Sequence, residues 1–495
     1  MRRTMTGLAV TALVLGPASV AVADSSQDYV LTVAVPSRIQ DGTVRAGAID
    51  NRTSRFNRQL LTEPGDGYDD VNNWDTARFG AAMLIDDLDD DGYDDLIVGA
   101  PGMPDNRQAL PVPGAVHILF GTEFGISLIR AQRLATPARA GDEFGSALSL
   151  STRVNRADGT TSPVRDLWIG APGHDVDGKA DSGAVFRYSV DAVGVAEYIE
   201  TVDQDSPLVP GAAEAGDRFG EVLAAYSANG TVVGVPHEDV GEARDAGTVQ
   251  RLRTDPDTDA VVAGEDFNQD APGVPGTAEK GDLFGTAVTG RGTIVGVPGE
   301  DVGSRQDAGM LQHFDFRSAG NSLVPRAAYT QNSPGVPGVA EAGDRFGAAV
   351  SYGIFQCDEH SSAAIGAPGE DVGRVQDAGS VTLLYVPDGS GVTLKDCPAR
   401  TLIQGRGLPG TPETGDQVGA AVSRRPGDPD RQDATRDTVM VGVPGEDIGT
   451  KADGKDSGRA VAATGGGNDG RSPISYRYQN GDHRGIRFGS YFVSW

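Results

Sequence analysis

Only two of the 495 residues are cysteine, Cys357 and Cys397. So few exclude a thiolate metal cluster and a fold pinned by many disulfides. The pair lacks Cys-x-x-Cys spacing, so neither redox chemistry nor metal binding is expected of it; in an exported chain the two are expected to bond to each other. Positive charge is the second shortage. Lys and Arg number 42 against 70 Asp and Glu, a formal net charge of −28, so a polyphosphate partner such as nucleic acid would be repelled. No stretch holds 18 consecutive apolar residues, which leaves no candidate for a membrane-crossing helix. Helical periodicity is sustained nowhere, because Pro and Gly recur at short intervals. The six histidines form no H-E-x-x-H pattern, and the chain has neither a G-x-S-x-G elbow nor a phosphate-binding loop. His174 and His237 occupy neighbouring loop positions in adjacent units; they could form a proton-transfer pair, although loop histidines are ordinarily just exposed.

What is plentiful is glycine, 69 residues, beside 38% apolar and 23% charged residues. That balance permits a packed core and argues against wholesale disorder. Residues 1–23 read as an export signal: Arg2 and Arg3, a short apolar stretch from Thr6 to Leu15, then Ala21-Val22-Ala23 ahead of polar Asp24. The rest, 24–495, reads as one repeating unit.

A Phe-Gly step recurs at Phe79, Phe144, Phe219, Phe284, Phe346 and Phe488, with Val418-Gly419 in the same slot between the last two. The steps lie roughly 65 residues apart. After each of the first six comes a short apolar run that ends in Gly-Ala-Pro or Gly-Val-Pro, at Pro101, Pro172, Pro236, Pro298, Pro368 and Pro444. A small-residue–Gly step then opens a third run, as at Ala246-Gly247, and a fourth, more variable run follows, as at Ala196 to Val202. Four short strands per unit, broken by turn residues, predict an all-β propeller. The last Phe-Gly has only one strand's worth of chain after it. Val30 to Val35, Ala46 to Ile49 and Phe56 to Leu61 supply the other three. The expectation is therefore a seven-bladed ring whose last blade combines one C-terminal strand with three N-terminal ones, a closure that protects the strand edges.

These steps resemble the FG-GAP repeats of the integrin alpha-subunit propeller and of bacterial exported FG-GAP proteins, over essentially all of 29–495. The phrases Gly369-Glu370-Asp371-Val372-Gly373 and Ala342-Gly343-Asp344-Arg345-Phe346-Gly347 carry the likeness further. Val418 and His237, which stand where Phe and Gly are usual, depart from it. The resemblance implies a ligand-binding face and, on the other face, calcium.

The sharpest chemical signal is Asp87-Leu88-Asp89-Asp90-Asp91-Gly92-Tyr93-Asp94-Asp95. Asp at positions 1, 3, 5 and 9, the position-7 carbonyl of Tyr93 and a turn-forming Gly92 can wrap hard oxygens around one Ca2+ ion. Val98 at position 12 and the absence of flanking helices separate the loop from an EF-hand. The expected ligands are Asp87, Asp89, Asp91, Tyr93 and Asp95. The matching loop of the sixth unit offers Asp428, Asp430, Asp433 and Asp437 as a weaker second candidate, and that of the second unit offers Asn155, Asp158 and Asp166. Elsewhere the acids recur at fixed offsets, among them Asp142, Asp217, Asp282, Asp344 and Asp416 before the Phe-Gly slot. Such repetition points to aspartates that cap their own turns, or else to a concave acidic surface for a cationic partner.

The expected function is a secreted, calcium-binding module, monomeric, that binds an extracellular protein or glycan in adhesion. The alternatives are an extracellular polysaccharide lyase or hydrolase with its site at the channel mouth, and a purely structural surface protein. No catalytic residue is assigned.

Overall fold

The structure is a computed structural model. It describes residues 11–14, 32–34, 81–102, 113–121, 131–154, 163–207, 209–226, 230–290, 293–317, 322–357, 360–386, 393–425, 437–446, 459–464, 474–476 and 491–492. Every regular element in them is a strand.

Six sheets follow one another along the chain, each with its strands side by side in sequence order. The first holds β3 (Ala82–Asp86), β4 (Asp95–Ala100), β5 (Ala115–Leu119) and β6 (Ala131–Arg133). The second holds β7 (Leu148–Val154), β8 (Pro163–Ala171), β9 (Ala184–Val190) and β10 (Ala196–Val202). The third holds β11 (Val222–Tyr226), β12 (Gly230–Val235), β13 (Thr248–Thr254) and β14 (Val261–Phe267). The fourth holds β15 (Ala287–Val288), β16 (Ile294–Val297), β17 (Met310–Arg317) and β18 (Ser322–Tyr329). The fifth holds β19 (Ala349–Gly353), β20 (Ser362–Ala367), β21 (Ser380–Tyr385), β22 (Arg400–Gln404) and a short parallel addition, β23 (Gly407–Leu408). The sixth holds β24 (Val422–Arg425), β25 (Thr438–Val443), β26 (Arg459–Thr464) and β27 (Ile474–Tyr476). The first strands of successive sheets touch one another in chain order, which makes the fold an all-β propeller.

The second strand of each sheet shows why the sequence folds this way. Sheets stack on both its faces, so it reads as a continuous apolar run rather than an alternating one; β4, β12 and β20 are buried along their whole length. The core lies between sheets. Phe144, Phe186 and Tyr188 pack with Ile97 and Val116 across the first joint, with Phe144 and Phe186 edge to face at 5.3 Å.

The two glycine steps form the joint itself. Within a sheet, the N–H of the glycine in the Phe-Gly step donates to the glycine carbonyl of the Gly-Ala-Pro step, as Gly145 to Gly170 at 2.9 Å and Gly347 to Gly366 at 3.0 Å. Its own carbonyl lies against the corresponding glycine of the preceding sheet. A Cβ on Gly170 would overlap the carbonyl of Gly220, and one on Gly366 that of Gly419. Backbone meets backbone there, so no side chain fits. The preceding aromatic is fully buried and bonds backward, Phe219 N–H to Ser182 at 2.9 Å and Phe346 N–H to Ala308 at 3.0 Å. Val418 makes the same bond, to Ala378 at 3.0 Å, and is 1% exposed. The slot needs a buried apolar residue, and Val fills it.

Cys357 and Cys397 form a disulfide with a Cα–Cα distance of 6.0 Å, as expected from their places after β19 and before β22. A further small sheet joins both ends of the chain: β1 (Thr11–Val14), β2 (Thr32–Ala34) and β28 (Tyr491–Phe492), in the order β2-β1-β28. β28 touches both β24 and β3. The expected order is corrected in one respect. Thr32–Ala34 was expected next to the C-terminal strand, but Thr11–Val14 stands between them, with Leu13 opposite Phe492 and Ala12 opposite Val33. In the full-length chain this apolar Thr-Ala-Leu-Val stretch is itself a competent strand, and it takes the place left open beside β28. The expected strands at 46–49 and 56–61, and the Phe79 and Phe488 steps, lie outside the described residues.

Candidate metal centre

The loop between β3 and β4 is built around its own carboxylates. Asp87 accepts the N–H groups of Asp91 at 3.0 Å and Gly92 at 2.9 Å. Asp89 accepts Asp91 N–H at 3.3 Å, and Asp91 accepts Tyr93 N–H at 2.9 Å. Gly92 takes φ = 90°, open to glycine, and Asp90 sits at 55°, which short polar side chains tolerate. Leu88, fully buried, plugs the loop into the core.

Three expected ligands come together: carboxylate oxygens of Asp87, Asp89 and Asp95 lie within 4.8 Å of one another. Asp91 stands outside that group, turned toward Tyr93. Asp95 is the buried member at 0% exposed. It ties the loop to the sheet by accepting Leu88 N–H at 2.9 Å and Gly121 N–H at 2.7 Å, the latter just past the end of β5. Burial pushes its carboxyl up to about 7; those two N–H groups pull the other way, and Asp89 and Asp91 push further. Asp94 and Asp86 are raised as well, mainly by burial. Carboxylates this close and partly desolvated lack a positive charge. The donors are all hard oxygens, and each carboxylate oxygen keeps a lone pair beyond those spent on N–H groups. The residues therefore fit a hard divalent cation.

Arg165, on β8 of the next sheet, was not expected at this loop. Its guanidinium donates to the Asp87 carbonyl at 2.8 Å and to Asp90 at 2.7 Å, and lies 3.7 Å from Asp86. Asp90 is thereby held below the usual carboxylate range. The arginine's hydrogen bonds go to the rim, and its charge also bears on Asp87. The β9–β10 hairpin closes in from the same side, with Gly194 against Phe120 and Asp89. Sequence spacing has no signal for contacts from a neighbouring unit.

Of the second-unit candidate, only Asp166 lies among the described residues, and it is already engaged. Asp166 does not wait for an ion; it accepts Arg153 Nε at 2.6 Å, Arg187 Nη2 at 3.3 Å and Thr254 Oγ1 at 3.3 Å. Asp259 reaches across from the third sheet to both arginines, at 2.7 and 2.5 Å. Two buried guanidinium groups supply the positive charge. Asn155 and Asp158 lie outside the described residues. In the sixth unit Asp437 is likewise engaged, accepting Ile354 N–H at 2.8 Å and Arg424 Nε at 2.7 Å; Asp428, Asp430 and Asp433 are outside the described residues.

The recurrent acids are turn caps. Asp142 and Asp416 each accept the N–H three residues upstream, at 2.7 Å in both cases, and Asp217, Asp282 and Asp344 do the same. Asp239, Asp301 and Asp371 each accept the N–H of the aspartate six residues on, at 2.9–3.0 Å. His174 Nδ1 pairs with Asp142 at 2.8 Å and His237 Nδ1 with Asp245 at 3.2 Å, so each histidine has its own carboxylate partner.

Comparison with known proteins agrees with this architecture. Residues 79–119, which span the candidate centre, match the FG-GAP repeat model. Human phosphatidylinositol-glycan-specific phospholipase D is 33% identical over 118 residues, 23% of this chain and 13% of that protein. Integrin alpha-PS5 of Drosophila melanogaster is 36% identical over 98 residues, 20% of this chain and 9% of that protein. The chain thus matches only a small part of the length of these relatives. Among solved structures, the periplasmic gluconolactonase of Pseudomonas aeruginosa aligns over 97% of this chain at 13% identity and a TM-score of 0.42, too loose a likeness to argue from. Residues 79–119 thus carry an FG-GAP repeat, and repeat, relatives and fold together support an integrin-alpha-like propeller.

Proposed function

We propose that the chain is a secreted, calcium-stabilised seven-bladed propeller that serves as an extracellular binding module for a protein or glycan. The observation that carries the reading is the meeting of Asp87, Asp89 and Asp95 beside a buried strand end. Calcium supplies the positive charge that these carboxylates lack, and with it a tie between the β3–β4 loop and the end of β5. Asp91 and the Tyr93 carbonyl complete the ligand set by a small turn of the loop. The disulfide suits an oxidising compartment, and no helix among the described residues is long and apolar enough to cross a membrane. Titration of calcium into metal-free protein tests the reading, with binding in the 10⁻⁴ M range expected on the order of other extracellular calcium modules.

The reading of a seventh blade is supported by β28, which touches both β24 and β3. Removal of residues 1–23 on export would free the place beside β28 for the strand at Val30 to Val35. Deleting 488–495 should then open the ring and cost several kcal/mol, at roughly 1.5–3 kcal/mol per buried aromatic or aliphatic side chain. Secretion and melting of the truncated chain measure this; a chain that is exported and melts like the full-length protein rules out the closure.

A further inference from the structure

The same trio of polar side chains recurs at three consecutive joints, on the face opposite the metal loop. A glutamine stands two residues past the fourth strand (Gln204, Gln269, Gln331), a glutamate lies in the loop after the second strand of the next sheet (Glu238, Glu300, Glu370), and an aspartate precedes the Phe-Gly slot (Asp217, Asp282, Asp344). Each glutamine donates its Nε2 to the glutamate, at 2.6 Å for Gln204–Glu238 and for Gln269–Glu300, and likewise for Gln331–Glu370. The glutamines are 2%, 2% and 3% exposed, and in all three the amide oxygen accepts nothing. Gln404 and Glu446 repeat the pair at the following joint, again with the glutamine oxygen unmatched.

A buried amide oxygen left without a donor is costly, and one recurring at successive joints calls for a cause. The ionised glutamate beside it has no proton to give. A neutral glutamic acid does: one of its oxygens accepts from the amide nitrogen, the other donates to the amide oxygen, and the two groups close a cyclic acid–amide pair in which the amide oxygen is matched. The surroundings favour that neutral form. Glu238 faces Asp217, Asp266 and Glu214; Glu300 faces Glu279 and Asp301 and bears on Asp282; Glu370 faces Asp344, Glu341 and Asp371. Lys179 acts on Asp217 but is itself held by Asp205 at 2.6 Å.

We propose that each of these joints binds one proton from solvent on its glutamate, and that the repeated acid–amide pair makes this face of the propeller a proton-responsive surface, tight in mild acid and looser above neutrality. Burial raises Glu238 and Glu370 to about 7 and Glu300 in the same direction, and raises Asp282 to about 7 and Asp217 and Asp344 to about 6. An unfolded glutamate ionises near ~4.3. Between that value and about 7 the folded chain holds more protons than the unfolded one, so the contribution is fully present in acid and is lost as pH rises through that window.

The test uses the full chain with calcium in excess. The triple variant Glu238→Gln, Glu300→Gln, Glu370→Gln fixes the neutral, donating form. Wild-type Tm should fall between about pH 5 and pH 8, with the folding constant dropping roughly tenfold or more per site, while the variant should lose the glutamates' share of that slope, keep what Asp217, Asp282 and Asp344 contribute, and melt higher at pH 8. Parallel Tm curves overturn the proposal. Should the triple variant not fold, infrared spectra of wild-type protein with isotope-labelled glutamate decide it. A protonated carboxyl band in native protein at pH 6 that disappears by pH 8.5 supports the proposal, and carboxylate bands alone at pH 6 overturn it.

Discussion

The first and second sheets solve one problem in two ways. Both begin their second strand with, or close to, a fully buried aspartate six residues before the Gly-Ala-Pro proline: Asp95 in one, Asp166 in the other. In the second sheet Arg153 and Arg187 surround the carboxylate. In the first, the positions equivalent to those arginines hold Leu88 and Ile118, both fully buried and apolar. Among its described residues the first sheet has no guanidinium within its own core, and it gathers Asp87 and Asp89 instead. A buried carboxylate must meet a positive charge or be neutralised; one sheet carries its cation covalently, and the other, on the proposed reading, takes one from solution. The sixth sheet follows the second, with Arg424 on Asp437.

The largest effect should come from breaking the covalent version. Asp166→Asn removes the fully buried carboxylate that Arg153 and Arg187 share, leaving them Asp259 and, for Arg187, Glu200, and should cost about 3 kcal/mol in urea unfolding, the low end for breaking a buried ion pair. That loss should be the same with calcium or chelator. Chelation of wild-type protein should cost less, about 1.5 kcal/mol from 1–2 mM calcium and a dissociation constant on the order of 10⁻⁴ M, read as a lower Tm. Asp89→Asn should melt near the chelated wild type and respond little to calcium. The smallest effect should follow Arg165→Ala. Its partner Asp90 is exposed, so roughly 1 kcal/mol or less is at stake, diminishing at high salt; a Tm series in salt measures it.

This contrast also marks where sequence reasoning stops. The repeat was legible because its glycine steps are backbone contacts that tolerate no substitute, and they recur wherever two sheets meet. The run read at Ala196 to Val202 is β10 itself, and Val418 was rightly placed in the aromatic slot because burial alone is required there. The local cluster of Asp87, Asp89 and Asp95 was legible because its members lie within one loop. Asp166 was not, because its partners are side chains on β7, β9 and the neighbouring sheet, and the pattern of acids resembles a metal loop until Arg153 is placed beside it. Arg165 was invisible for the same reason: it touches Asp90 from 75 residues away. The place of Thr11–Val14 escaped because an apolar stretch read as an export signal is also a fair strand.

The most direct measurement is isothermal titration of calcium into metal-free wild-type protein alongside Asp87→Asn and Asp166→Asn. The account predicts one saturable site in wild type, its loss in Asp87→Asn, and its retention in folded Asp166→Asn. Absence of binding heat in wild type, together with an unchanged Tm between millimolar calcium and chelator, would contradict it.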